Sequence, residues 1–111
     1  MPGYYIGLIS GTSMDGIDAA LVEFSDRSVD IVSGRTVPYP ETLRNRLIDA
    51  TRTPETCTVD VIGALDHWVG ECFRDAALEL LQAAGVDPGD VRAIGSHGQT
   101  LRHRPDQERP Y

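Results

Sequence analysis

The sequence predicts an α/β fold, and three observations carry that expectation. Three short runs with strand character follow one another through brief polar connections, which is how an antiparallel meander reads. A long helical pattern then repeats its apolar residues every three or four positions and needs a sheet or another helix to lie on. A fourth apolar run follows, completing the order β-β-β-α-α-β.

Residues 4–10 form the first expected strand, rich in aromatic and β-branched residues. Residues 18–24 form the second, with Ala20, Val22 and Phe24 alternating against Ala19, Leu21 and Glu23. Ser25-Asp26-Arg27-Ser28 makes a polar turn, and residues 29–37 form a third strand, weakened by Gly34 and ended by Pro38. Pro40 and Glu41 suit the first turn of a helix on which Leu43, Leu47 and Ala50 share a face. Pro54 breaks that helix within residues 51–57.

The longer helix is expected to be capped by Thr58, with Asp60 in its first turn and Gly85 as its terminator. Its apolar stripe runs through Val59, Ile62, Leu65, Val69, Cys72 (with Phe73), Ala76 and Leu80. Asp87-Pro88-Gly89-Asp90 turns the chain into a fourth strand over residues 91–96, which feeds directly into His97-Gly98-Gln99-Thr100. Residues 101–111 are polar, and no repeat, low-complexity tract or domain boundary interrupts the 111 residues.

A net charge of −7 argues against a nucleic-acid surface, which draws on excess Lys and Arg. The one basic cluster, Arg102-His103-Arg104, reads as a solvated loop. Apolar stretches are only strand-sized, so no membrane span is expected. The first residues lack the basic and apolar regions of a secretory leader. Cys57 and Cys72 have no metal-ligand spacing and make no disulfide framework; a reducing, cytoplasmic setting is expected. His67 and Trp68 read as ordinary helix residues and carry no chemistry.

Two segments do suggest chemistry. Ser10-Gly11-Thr12-Ser13-Met14-Asp15-Gly16-Ile17-Asp18 joins two apolar runs with more glycine and hydroxyl than a turn requires. Glycine lacks Cβ and tolerates positive φ, so backbone amides beside hydroxyls can meet an anion. It is neither a Walker loop nor a dinucleotide fingerprint, because no Gly-Lys-Ser/Thr follows and a strand comes next. A phosphate-binding hairpin is the favoured reading over a plain connection. Asp15 either orients a hydrated magnesium ion or fixes the turn through its own backbone, and the same alternatives stand for Asp18. The second segment, Ser96-His97-Gly98-Gln99-Thr100, lies at the carboxyl end of an expected strand, where open α/β sheets bind ligands. Its His, Gln and Thr suit sugar hydroxyls or an amide.

Ser10-Gly11-Thr12-Ser13-Met14-Asp15-Gly16-Ile17-Asp18 and Ile94-Gly95-Ser96-His97-Gly98-Gln99-Thr100-Leu101-Arg102-His103 resemble the two N-terminal signatures of anhydro-N-acetylmuramic acid kinases. The resemblance covers residues 4–105 and implies a ribonuclease-H-like lobe of the actin, hexokinase and heat-shock ATPase superfamily, its first three strands antiparallel. It implies a cytoplasmic sugar kinase of peptidoglycan recycling that opens the 1,6-anhydro ring and phosphorylates O6, with ATP and Mg2+ as cofactors. Gly11, Thr12, Ser13, Met14, Asp15, Gly16, Ile17 and Asp18 would hold ATP phosphates; His97, Gln99 and Thr100 would lie near the sugar. No residue here is expected to ligate metal directly. Partners would be the amino sugar and ATP, with no nucleic acid or membrane, and a homodimer is a candidate assembly of the full-length family. Members of that family are roughly three times this long. Residues 1–111 are therefore expected to be the N-terminal part of a lobe, with the general-base aspartate and the second lobe beyond Tyr111, and to be inactive alone. The competing expectation is a non-catalytic module binding a phosphorylated ligand or a partner.

Overall fold

The computed structural model describes residues 3–111. Strands β1 (Gly3–Ser10), β2 (Gly16–Phe24) and β3 (Val29–Pro38) precede helices α1 (Glu41–Arg52) and α2 (Val59–Ala84), and β4 (Val91–Gln99) follows. Single 3-10 turns at Pro54–Thr56 and Pro88–Asp90 lead into α2 and β4. The four strands form one mixed sheet in the order β3-β2-β1-β4. β1 pairs antiparallel with β2, β2 antiparallel with β3, and β1 parallel with β4.

Alternation sorts the strand residues onto two faces. Ile6, Leu8, Ile17, Ala19 and Leu21 point into the core, where they meet Leu43 and Leu47 of α1 and Leu65, Phe73, Ala76 and Leu80 of α2. Burying each large aliphatic side chain contributes about 1.5–3 kcal/mol. α2 begins as its sequence says it should: Thr58 Oγ1 accepts from the Val61 amide at 3.2 Å. It ends on Gly85 in the left-handed region at φ 68°, and the Val86 amide donates back to the Leu81 carbonyl at 3.0 Å.

The expected α2 stripe is buried only in part. Val59 is 85% exposed and Ile62 44%, whereas Ala77 and Leu81 join the core. Ile62, Leu65 and Val69 line a cavity of ≈ 270 Å³ with Leu47 and the Ser96, Gly98 and Gln99 end of β4, so this part of α2 is not pressed against the sheet.

The opposite face of the sheet carries no helix. Tyr5 and Phe24 pack edge to face there, 5.1 Å between ring centroids, and Ile9, Val29 and Ile31 are exposed. A row of small residues crosses that face in register, Gly34 beside Ala20, Ala20 beside Gly7, and Gly7 beside Gly95. Cys57 and Cys72 are free thiols, both partly buried. Burial, with Asp75 and Glu71 nearby, pushes the Cys72 thiol above its ordinary pKa. No described helix is long and apolar enough to cross a membrane.

Candidate functional site

β2 starts at Gly16, two residues before its expected start, so the connection between β1 and β2 is only residues 11–15. The Met14 amide closes it by donating to the Gly11 carbonyl at 3.2 Å. The positive backbone angle falls on Met14, φ 55°, and not on either glycine of the hairpin. Its side chain explains why: at 5% exposure it is seated in the core, which holds an otherwise unfavourable conformation in place.

The two glycines have different reasons to be glycine. A Cβ on Gly16 would come 2.6 Å from the Val37 carbonyl oxygen, so Gly16 serves the pairing of β2 with β3. A Cβ on Gly11 would meet nothing within 4 Å. Space is therefore kept open over the Gly11 backbone. Thr12 and Ser13 beside it are exposed. Among the described residues their hydroxyls and amides engage no protein partner. Ile17, by contrast, is fully buried and turned away from this surface.

The two aspartates diverge. Asp15 Oδ1 lies 3.4 Å from an Arg44 guanidinium nitrogen of α1, an exposed pair. Asp18 stands on the open face and accepts from Thr36 Oγ1 at 2.7 Å. No group of three His, Cys, Asp or Glu side chains able to hold a metal occurs among the described residues.

β4 runs to Gln99, so His97 and Gln99 belong to the strand and only Thr100 lies past its end. Between Ser96 and Gln99 the strand bulges, three steps of β4 matching two of β1 from Leu8 to Ser10. Gly98 makes the bulge with φ 80°. The extra residue separates the expected sugar-side group. His97 faces the open side in a trough with Gly7, Ile9, Asp18 and Gly95, while Gln99 turns to the core side beside Ser10.

Gln99 occupies the centre of a partly buried network. Its Oε1 accepts from Tyr39 at 3.0 Å and from Ser10 Oγ at 2.5 Å, and its Nε2 donates to the carbonyls of Gly11 and Thr100, each at 2.8 Å. Ser10 Oγ also lies 2.9 Å from the Gly16 carbonyl. Burial pushes the Tyr39 phenol above its ordinary pKa; the Ser10 hydroxyl opposes that shift and Cys72 adds to it. Tyr39 therefore stays a protonated donor. Sequence reasoning missed Tyr39 and gave Ser10 no separate role. The available signal was a serine at an inward-facing strand position, two residues after Leu8, because a buried hydroxyl must find a partner.

Thr12 and Thr100 line one shallow concavity of ≈ 340 Å³ with Met14, Arg102, His103 and Arg104. The basic cluster read as a solvated loop is exposed, as expected, yet it stands beside the hairpin turn. The surface can thus offer an anion two amides, two or more hydroxyls and two guanidinium groups.

The family model described as anhydro-N-acetylmuramic acid kinase matches residues 3–111. The curated relatives carry the same name. The protein of Vibrio vulnificus strain CMCP6 is 47% identical over 107 residues, covering 96% of this chain and 29% of the relative. That of Xanthomonas axonopodis pv. citri strain 306 is 50% identical over 105 residues, 92% of this chain and 28% of the relative. That of Vibrio parahaemolyticus serotype O3:K6 is 42% identical over 107 residues, 96% and 29%. The chain spans under a third of the length of these relatives. With the family model covering nearly every residue, the chain belongs to the anhydro-N-acetylmuramic acid kinase family.

Proposed function

We propose that this chain supplies the phosphate-binding part of a cytoplasmic ATP-dependent kinase. The whole enzyme opens the 1,6-anhydro ring of anhydro-N-acetylmuramic acid and phosphorylates its O6, a reaction of peptidoglycan recycling. The observation that supports this most directly is the open space over Gly11, flanked by the unengaged amides and hydroxyls of Thr12 and Ser13. In this reading residues 11–18 form the phosphate hairpin. Gly11, Thr12 and Ser13 meet the anion, Met14 and Ile17 anchor the hairpin in the core, and Gly16 keeps β2 against β3. The mixed sheet with helices on one face suits the start of a ribonuclease-H-like lobe.

His97 and Thr100 carry the sugar-side role, since their side chains are unengaged among the described residues; Gln99 reaches the site through its neighbours. Water adds to the anomeric carbon, the bond from that carbon to O6 breaks, and O6 takes the γ-phosphoryl group as ADP leaves. Water's proton passes to a general base, and no aspartate of this sequence matches the family's base. Phosphoryl transfer of this kind depends mainly on positioning and charge stabilisation. Magnesium does not fit a site built by these residues alone, because Asp15 and Asp18 diverge and no three-ligand group is present among the described residues. No step is assigned to it.

The test is titration of the chain with ATP and magnesium, followed by amide NMR. Signals of Thr12, Ser13 and Asp15 move in the expected result, and Gly11→Val abolishes the movement while leaving the rest of the spectrum in place. Binding that leaves those signals still, or survives Gly11→Val unchanged, removes the phosphate-hairpin reading.

A further inference from the structure

A glutamine side chain has four hydrogen-bonding capacities, two lone pairs on Oε1 and two hydrogens on Nε2. All four of Gln99 are engaged inside the protein, by Tyr39, Ser10, Gly11 and Thr100. Both Nε2 partners are carbonyl oxygens, which fixes the amide's orientation: reversed, Oε1 would confront two acceptors. Gln99 therefore has nothing left with which to hold a ligand. It joins the first residue of the hairpin turn to the segment just past β4, across 88 positions of sequence.

We propose that Gln99 is a positioning residue, clamping the Gly11 and Thr100 carbonyls with one amide group so that the 11–15 turn is held ready before any phosphate arrives. This rests on the phosphate-hairpin reading. The clamp acts beside the Met14 anchor and the Gly11–Met14 bond, and holds the Gly11 carbonyl from outside the turn. Thr12 and Ser13 are exposed and make no bonds of their own, and Asp15 is tied only by a long, exposed ion pair. A turn left loose would have to be ordered during binding, at a cost in affinity; amides already aimed bind an anion without that cost. Ser10 and Tyr39 are the clamp's support. Both are buried with their hydroxyls within hydrogen-bond distance of Oε1, Tyr39 donating to it and Ser10 sharing its one hydrogen between Oε1 and the Gly16 carbonyl.

The informative variant is Gln99→Glu. It keeps the shape and both acceptors for Ser10 and Tyr39, but an ionised carboxylate turns an oxygen toward the Gly11 and Thr100 carbonyls. Protonating it restores one donor, so the defect reverses with acid. A merely space-filling Gln99 would leave the turn's amides sharp in the ATP-free chain at every pH, even though the added charge repels ATP. Amide spectra and the affinity for ATP with magnesium are compared with the unsubstituted chain at each pH between about 8 and 5. At the upper end, Gln99→Glu moves and broadens the Thr12, Ser13 and Asp15 amides and weakens binding about tenfold. At the lower end, most of both effects disappears.

The proposal is overturned if Gln99→Glu matches the unsubstituted chain at every pH, or if its defect is the same throughout. Should the variant fail to fold, the unsubstituted chain decides the matter: its Gln99 side-chain NH2 hydrogens exchange slowly if clamped, and exchange like a solvated glutamine if the proposal is wrong. A chain whose turn ignores ATP, yet whose free spectrum shows the clamp, would sink the phosphate reading and leave the clamp as a structural fact alone.

Discussion

Gly16 and the Val37 carbonyl are in direct opposition: a Cβ on the first would lie 2.6 Å from the oxygen of the second. Neither strand can step aside, because Gly16 is paired with Pro38 and Ile17 with Val37. Gly16→Ala is therefore expected to destabilise the chain by about 1–3 kcal/mol, read as a fall in the urea midpoint. Gly11→Ala meets open space and should stay within about 0.5 kcal/mol of the parent. Any loss of ATP affinity in Gly11→Ala then belongs to the ligand's approach and not to folding.

Met14 carries the hairpin's positive φ on a buried side chain. Met14→Ala removes the anchor and keeps the unfavourable angle, and is expected to cost about 2–5 kcal/mol. Chemical denaturation measures the loss. Hydrogen exchange should rise first at the Gly11–Met14 bond, which is the turn's internal closure.

Tyr39 makes stability depend on alkaline pH. The unfolded chain surrenders a tyrosine proton near 10.0, while the folded protein keeps it to higher pH because burial disfavours phenolate. The folded state thus binds more protons above that value, so stability is fully present below it and falls as pH rises through it. Tyr39→Phe should flatten that fall relative to the parent, measured as the melting temperature across alkaline pH. A decline of unchanged slope would show that Tyr39 is not its source.

Arg102 and Arg104 share the concavity with Thr12. Replacing both with alanine is expected to weaken binding of ATP, with each exposed charge at about 4 Å from a phosphate contributing about 1 kcal/mol. The deficit should shrink as salt is added, because added ions screen exposed charges in the parent. Calorimetry at two ionic strengths decides it.

Element types were readable because period and punctuation agreed: Thr58 and Gly85 mark the ends of α2, and Pro54 marks the break before it. The ends of β2 and β4 were not. Gly16 and Gly98 look like loop residues in a sequence, yet one is in the strand for steric reasons and the other makes a bulge. That bulge is also why the separation of His97 from Gln99 could not be read by counting. A two-residue spacing puts side chains on one face only while the strand stays regular. The hydroxyl-rich turn was legible as an exposed connection between two strands, but the contact of Gln99 with Gly11 spans the chain and leaves no local signal.

The small residues that line up across the uncovered side of the sheet make an experimental instrument. A methyl group added at Gly7 or Gly95 touches nothing within 4 Å, so either alanine fits without a clash and acts on the chain only through the smaller freedom of its unfolded backbone. A change in what binds there, with the fold intact, is then felt by something resting on that surface, and the substitution reports a visitor without a clash in the host.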